Sequence, residues 1–167
     1  FPLSRIQGAG NELGCSSPYS ITKLDNSLFW LGLDARATGI VYRAVGDTGK
    51  RISTHAIEYA IQSHSDITDA IAFTYQQEGH SFYVLTFPTA DKTWVFDVST
   101  ELWHERAGFV DGEFTRHRAQ CQMFFTGVTF VGDYENGNIY TYSLDTYTDN
   151  AATQKYLRSW RAIPPGQ

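Results

Sequence analysis

The sequence predicts a mainly β protein of antiparallel sheets, arranged as propeller-like blades, with one short helix. Three observations carry that reading. Residues 79–108 alternate apolar and polar from Ser81 to Phe87, turn at Pro88, alternate again from Thr93 to Val98, turn tightly at Ser99-Thr100, and reach Trp103. Strand, turn, strand, turn and buried aromatic, with Trp103 in the core, is how one antiparallel sheet of a propeller-like repeat would be written. A similar arrangement recurs at offsets of about 50 residues, within the range of propeller blades. Aromatic residues make up 15% of the chain, and with Val and Ile they suit pleated, half-buried surfaces.

Taken in order, residues 1–19 are rich in Gly, Ser and Pro and read as an entering arm. Ile21–Leu24 leads through an Asp25-Asn26 turn into the strongly apolar strand Ser27–Leu31. Gly32–Gly39 forms a polar loop, Ile40–Ala44 the next strand, and Gly46–Gly49 a closing turn. Ile57, Ala60 and Ile61 then stand at helical spacing behind the N-cap candidates Ser53 and Thr54, which predicts a short amphipathic helix over residues 54–63. Asp66–Asp69 is expected to add a helical turn before Ala70–Tyr75 resumes as strand. Pro88 ends the strand before it, because proline cannot donate to a ladder. After a polar link at Asp111–Glu113, Cys121–Thr126 and Val128–Val131 read as strands. Asn136-Gly137, within Glu135–Asn138, fits a type I′ turn because both residues tolerate positive φ, and Ile139–Leu144 returns. Tyr156–Ile163, with Trp160 between Arg158 and Arg161, reads as the first strand of a further blade.

Residues 1–167 are therefore expected to form a single β domain with modules near 20–53, 70–108 and 119–149. Phe29-Trp30, Phe82-Tyr83 and Thr129-Phe130 stand at matching places, each before a turn and an aromatic strand ending at Tyr42, Phe96-Asp97 or Leu144-Asp145. Three blades are too few for a ring, which takes roughly four to eight. Part of a larger propeller is expected, or a piece that leans on a neighbour or on a copy of itself. The chain starts at Phe1 rather than Met and carries Pro164-Pro165-Gly166 near its end, and an excised piece of a longer protein is expected.

Composition narrows the function. With 42% apolar and 19% charged residues the chain suits an ordered domain. A net charge of -5 argues against a general phosphate-binding surface, while leaving room for a local basic patch. Cys15 and Cys121 lie far apart and read as two reduced thiols. No apolar run is long enough to span a membrane, and no basic-plus-apolar leader stands at the start.

The chemistry-bearing residues each have a bland explanation. His104-Glu105 lacks the second histidine of the helical zinc motif. His55 and Glu58 share a helix face, but two ligands make no metal site. His80-Ser81 lacks the second glycine of a nucleophile elbow, and His117 between Arg116 and Arg118 suits solvation or an interface. Asp133, Glu135, Asn136 and Asn138 resemble a calcium loop only superficially, because the distal bidentate Glu is missing. Gly8-Ala9-Gly10 opens no helix and makes no phosphate cradle. Arg36, Arg43, Lys50 and Arg51 form one loose basic cluster, and Arg106, Arg116 and Arg118 another. These read as charged hairpin edges, with contact to DNA or an acidic partner as the sharper alternative. Tyr140, Tyr142, Tyr147 and Tyr156 read mostly as core, with a sugar-stacking face as the alternative.

The series Gly14…Ser16-Ser17…Ser20-Ile21, Asn26–Leu31, Ile52-Ser53 and Ile57-Glu58…Ile61 resembles the packaged-DNA stabilization proteins of short-tailed phages. Gly79–Leu85…Pro88…Thr93–Asp97…Trp103–Arg106 is its best matching part, and the resemblance covers roughly residues 8–149. It implies a non-enzymatic tail component of the virion, made in the host cytoplasm. Such a hub is homo-oligomeric, joins portal and adaptor to tail spikes and to a plug or needle, and helps retain packaged DNA. It implies no catalytic residue, cofactor, metal or membrane, and charge does not point to DNA contact. Two other readings stand beside it: a carbohydrate-binding β-propeller module using exposed Trp and Tyr, and a hydrolase fragment using His104, Glu105 or an unseen pair of carboxylates.

Overall fold

The computed structural model describes residues 10–159, so Gly8-Ala9 and the Trp160–Ile163 part of the last expected strand lie outside the described residues. The first sheet joins β1 (Thr22–Leu24), β2 (Ser27–Leu33), β3 (Gly39–Val45) and β4 (Thr48–Arg51). Helix α1 (His55–Gln62) leads to the second sheet, β5 (Ile71–Gln77), β6 (His80–Phe87), β7 (Lys92–Asp97) and β8 (Leu102–Glu105). A hairpin of β9 (Ala107–Val110) and β10 (Glu113–Arg116) precedes the third sheet, β11 (Ala119–Phe125), β12 (Val128–Asp133) and β13 (Ile139–Thr141). A last hairpin pairs β14 (Thr148–Asp149) with β15 (Ala152–Thr153). Every pairing is antiparallel, as expected of a mainly β propeller-like chain.

The first hairpin of each sheet turns on two residues of positive φ, the signature of type I′. They are Asp25-Asn26 (47° and 57°), Glu78-Gly79 (51° and 78°) and Thr126-Gly127 (49° and 83°). The turn expected at Asn136-Gly137 is not formed, since neither residue takes positive φ. There the Asp133 carboxylate accepts from the Glu135 amide at 2.8 Å and the Asn136 side chain at 3.0 Å, and this organises a longer loop instead.

Other boundaries moved for equally local reasons. Thr48 and Gly49 pair back onto Val45 and Ala44 as β4, so the expected turn shrinks to Gly46-Asp47. Asp66–Asp69 is not helical: the Asp66 carboxylate accepts from the Thr68 amide and hydroxyl, both at 2.8 Å, which offers the backbone an alternative to a helix. The polar loop narrows to residues 34–38, where Asp34 accepts from the amides of Arg36 (2.9 Å) and Thr38 (2.7 Å). The link at Asp111–Glu113 contains the β9–β10 turn at Asp111-Gly112, and β13 stops at Thr141. For α1 it is Thr54 that caps, accepting from the Ile57 amide. Within the arm, Pro18–Ser20 makes a 3-10 turn that is stitched into the core. The Ser20 hydroxyl accepts from the Leu31 amide at 3.0 Å, and Tyr83 donates to the Ser20 carbonyl at 2.9 Å.

Packing follows from alternation along β6. Tyr83, Leu85 and Phe87 face the first sheet, joining Phe29, Leu31, Val41, Ile57 and Ile61 in one buried cluster. Phe82 and Val84 face the third sheet, beside Tyr75, Val95, Ala119, Val131, Tyr140 and Tyr142. The second sheet is thus covered on both faces. On the first-sheet side Phe29 stacks on Tyr83, 5.4 Å between centroids, with Phe96 6.5 Å from Phe29, and on the other side Tyr75 lies 4.6 Å from Tyr142. Trp103 is half-buried rather than fully buried, because β8 is an edge strand. Its ring lies 5.1 Å from Phe96 and its indole donates to the Ile52 carbonyl at 2.9 Å.

These burial differences set an order of stability losses. Phe29→Ala is expected to cost about 3–5 kcal/mol, the range for emptying a packed aromatic site. Trp103→Ala is expected to cost less, about 2–3 kcal/mol, since only part of its surface leaves water. Urea unfolding at constant m-value checks the ranking, and a larger loss at Trp103 would reverse it.

Candidate interaction surface

The junction between the second and third sheets is built around Arg106. Its amide donates to the Thr93 carbonyl at 3.0 Å, which carries the chain past β8 along β7. Its guanidinium then lies 5.5 Å from the Tyr75 ring, 5.8 Å from Phe82 and 5.7 Å from Tyr142, and donates to the Tyr75 hydroxyl at 2.7 Å. Ring faces stabilise the cation where water is partly excluded. His117 stacks on Tyr142 and shares a 2.9 Å hydrogen bond with its hydroxyl, while its amide donates to Thr93 at 3.1 Å. Desolvation first, and Arg106 second, push the His117 imidazole down to about 3. Burial also raises the Tyr75 and Tyr142 phenols.

Arg118 organises the far side of the same junction. It donates to Glu135 at 2.6 Å and to Asp133 at 3.4 Å, and stands 3.7 Å from Asp149. Tyr140 donates to Asp133 at 2.9 Å. Burial alone would raise the Asp133 carboxyl, but these donors and the Glu135 amide outweigh it and hold it low. The oxygens that suggested a calcium loop are therefore engaged by protein donors. Among the described residues no group of three His, Cys, Asp or Glu is placed to hold a metal ion.

The remaining candidates are separated or occupied. His104 and Glu105 are successive residues of β8 and point to opposite faces. His104 meets the edge of Phe82, while Glu105 accepts from Lys92 at 2.9 Å. His80 bonds Asp97 at 2.7 Å, yet Ser81 points the other way, donating to Asp25 at 3.2 Å, so no nucleophile–base–acid line forms. Glu58 is held by Arg51 and accepts from Ser53 at 2.6 Å, and the exposed His55 stands 4.0 Å away. The basic clusters are dispersed in the same manner. Arg43 covers the Phe29 ring at 5.5 Å, Lys50 stands 3.9 Å from Glu101, and Arg116 covers Tyr134 at 3.7 Å, while Arg36 sits exposed in the 34–38 loop. Cys15 and Cys121 are both free and exposed. Tyr140 and Tyr142 pack in the junction, whereas Tyr147 and Tyr156 are exposed.

Two outer faces complete the surface. In the third sheet, register pairs Phe125 with Val128, Met123 with Phe130, and Gly132 with Ile139. These side chains point away from the second sheet, with Met123 59%, Phe125 60% and Ile139 73% exposed. On its far side the first sheet packs Trp30, Ile40 and Tyr42, all three buried, against Leu13 and Ala44. A recess of about 360 Å³ opens there between Leu13, Ile21, Leu28, Trp30 and Ala44. Sequence reasoning placed Arg106 in a loose basic cluster and missed its seat among the rings, and it missed both faces. The signal for the third-sheet face was the Met123, Phe125, Val128 and Phe130 alternation.

The neutral His117 makes the junction acid-sensitive. Its folded pKa lies below the unfolded value near 6.5, so the unfolded chain takes up a proton first as pH falls. Stability is fully present above about 6.5 and declines toward 3, by at most about 1.4 kcal/mol per pH unit. His104 is also pushed down, to about 4, by desolvation and then Arg106, but its ring is exposed and water can hydrate its charged form. His117→Gln is therefore expected to flatten the pH dependence of unfolding free energy between pH 6.5 and 4. An unchanged slope would place the sensitivity elsewhere.

A family model described as Phage_stabilise: Bacteriophage P22 Gp10, beta-propeller, matches residues 1–147. No curated protein matches the chain. The match covers most of the 167 residues, and the stacked antiparallel sheets are of the kind its description names. The chain belongs to the Bacteriophage P22 Gp10 family of packaged-DNA stabilisation proteins, structural proteins of the phage particle.

Proposed function

We propose that the protein is a tail hub, made in the host cytoplasm and assembled as a homo-oligomer at the DNA exit vertex. It joins the portal and adaptor to tail spikes and to a plug or needle, and retains the packaged genome by closing the exit rather than by gripping DNA. The observation that carries this reading is the second sheet buried on both faces, which makes the stack a rigid support for its connecting loops. Those loops are fixed by their own side chains: Asp34 in residues 34–38, Asp97 through the Ser99 amide (2.9 Å) and Thr100 hydroxyl (2.8 Å), and Asp133 in residues 134–138. Preordered loops lose little entropy on docking. The net charge of -5 and the engagement of Arg43, Arg51, Arg116 and Arg118 with internal partners favour protein contact over phosphate contact. The carbohydrate-binding alternative has less support, since the exposed Tyr19 and Tyr59 lie on the 3-10 turn and α1, and Tyr147 and Tyr156 in segments outside the strands.

Cross-linking mass spectrometry on isolated tails tests the assignment. Lysine and carboxylate cross-links from these loops to portal, adaptor or spike chains are expected. Cross-links confined to capsid shell proteins would refute it, as would salt-sensitive duplex DNA binding by the isolated chain at physiological ionic strength.

A further inference from the structure

The loop between β12 and β13 holds the one Asn-Gly step of the sequence, Asn136-Gly137. Both residues are exposed, and a Cβ built at Gly137 would meet no atom within 4 Å. Neither takes the positive φ of a type I′ turn. The Gly137 amide therefore closes no hairpin, and it donates to no acceptor among the described residues. The Asn136 carboxamide, by contrast, is held at both ends. Its oxygen accepts from the Asn138 amide at 2.8 Å, and its nitrogen donates to Asp133 at 3.0 Å. The first of these bonds closes an Asx turn, which curls the carboxamide carbon over the Gly137 nitrogen. The same bond polarises the carbonyl and aims a backbone N–H at the oxygen that takes up charge under attack.

We propose that Asn136 is a site of spontaneous covalent modification, at which the Gly137 nitrogen attacks the Asn136 side chain and converts it to an acid. The Gly137 nitrogen gives its proton to hydroxide and bonds to Cγ, forming a five-membered succinimide. The Cγ–Nδ2 bond breaks, and Nδ2 takes up a proton from water and leaves as ammonia. Water then adds to either carbonyl of the ring and opens it, leaving an aspartyl or isoaspartyl residue at position 136. Glycine offers no side chain to hinder ring closure. The free amide breaks no ladder when it reacts, and the carboxamide is already oriented, so little rotational freedom is left to lose. Asn26 is the internal control, because Ser27 after it pairs with Leu24 in the β1–β2 ladder.

The product alters the loop. A carboxylate at position 136 faces Asp133 where the carboxamide had donated, and two acceptors cannot share that contact. Arg118 already serves Asp133, Glu135 and Asp149. The isoaspartyl form also inserts a carbon into the backbone and lengthens residues 134–138. The reaction thus releases, irreversibly, the loop that Asp133 fixes. This holds independently of whether that loop docks another tail protein.

Peptide mass spectrometry on the folded chain, sampled during storage in mildly alkaline buffer, reads the conversion. The peptide holding Asn136 is expected to gain the mass difference between OH and NH2. It should do so at least about tenfold faster than the peptide holding Asn26, a ratio that needs only a small difference in barrier. Conversion in the folded chain should be no slower than in a synthetic peptide covering residues 133–140. Gly137→Ala, at a position with room for the methyl group, should remove most of the conversion without moving the circular dichroism spectrum. Asn136→Asp should speed hydrogen exchange at residues 134–138, as the converted protein does. Conversion of the synthetic peptide but not of the folded chain would overturn the proposal, since the loop would then protect its asparagine. So would an unchanged rate in Gly137→Ala, or equal conversion at Asn26. Unchanged exchange in Asn136→Asp would refute the release of the loop.

Discussion

The structure depends on burying both faces of its second sheet. A strand that alternates apolar and polar can cover one side only, whereas β6 places Phe82 and Val84 on one side and Tyr83, Leu85 and Phe87 on the other. Such a strand cannot remain in water on either face, so it draws a sheet onto each. The Phe29–Tyr83 stack is the contact through which the first sheet answers that demand, and the Ala119, Val131 and Tyr142 cluster is the third sheet's answer. Removing either neighbour would expose large rings on the most apolar strand of the chain.

The polar groups follow the same economy. Three sets of buried or half-buried hydrogen-bonding groups are matched locally, by Ser20 under β2, by Asp97 at its turn and by Asp133 in its loop. Arg106 is the exception in kind, a cation held among aromatic rings between two sheets. Burial first, and Arg106 second, keep His117 neutral, so the imidazole lies within the junction without the desolvation cost of a charge. The residues that invited a catalytic interpretation are thereby explained as parts of packing. His104 borders Phe82, His80 anchors Asp97, and Glu58 locks α1 to Arg51.

Much of the fold was legible because its signals are local. Helical spacing at Ile57, Ala60 and Ile61 located α1, alternation located β7, and apolar runs located β2, β6 and β12, with the alternation read into Ser81–Phe87 broken by Phe82–Leu85, which is apolar throughout. Asp25-Asn26 marked its turn by tolerating positive φ, but Thr126 and Glu78 adopt the same conformation without any special chemistry of their own. There the strands on either side dictate the turn. At Asn136-Gly137 the reverse holds: the favourable pair is present, and the Asp133 carboxylate imposes a different loop. The junction around Arg106 was hidden because Tyr75, Phe82, His117 and Tyr142 come from distant segments and meet only once sheets stack. Trp103 read as core from its size alone, whereas its place on an edge strand leaves it half in water.

If double burial of the second sheet is the organising constraint, protection from solvent should be graded by sheet. Hydrogen–deuterium exchange followed peptide by peptide measures this directly. The account predicts slowest exchange in β6 and β7, intermediate rates in β2 and β3, and fastest rates in β11–β13, whose outer face none of the described residues covers. Exchange in β6 as fast as in β12 would contradict it.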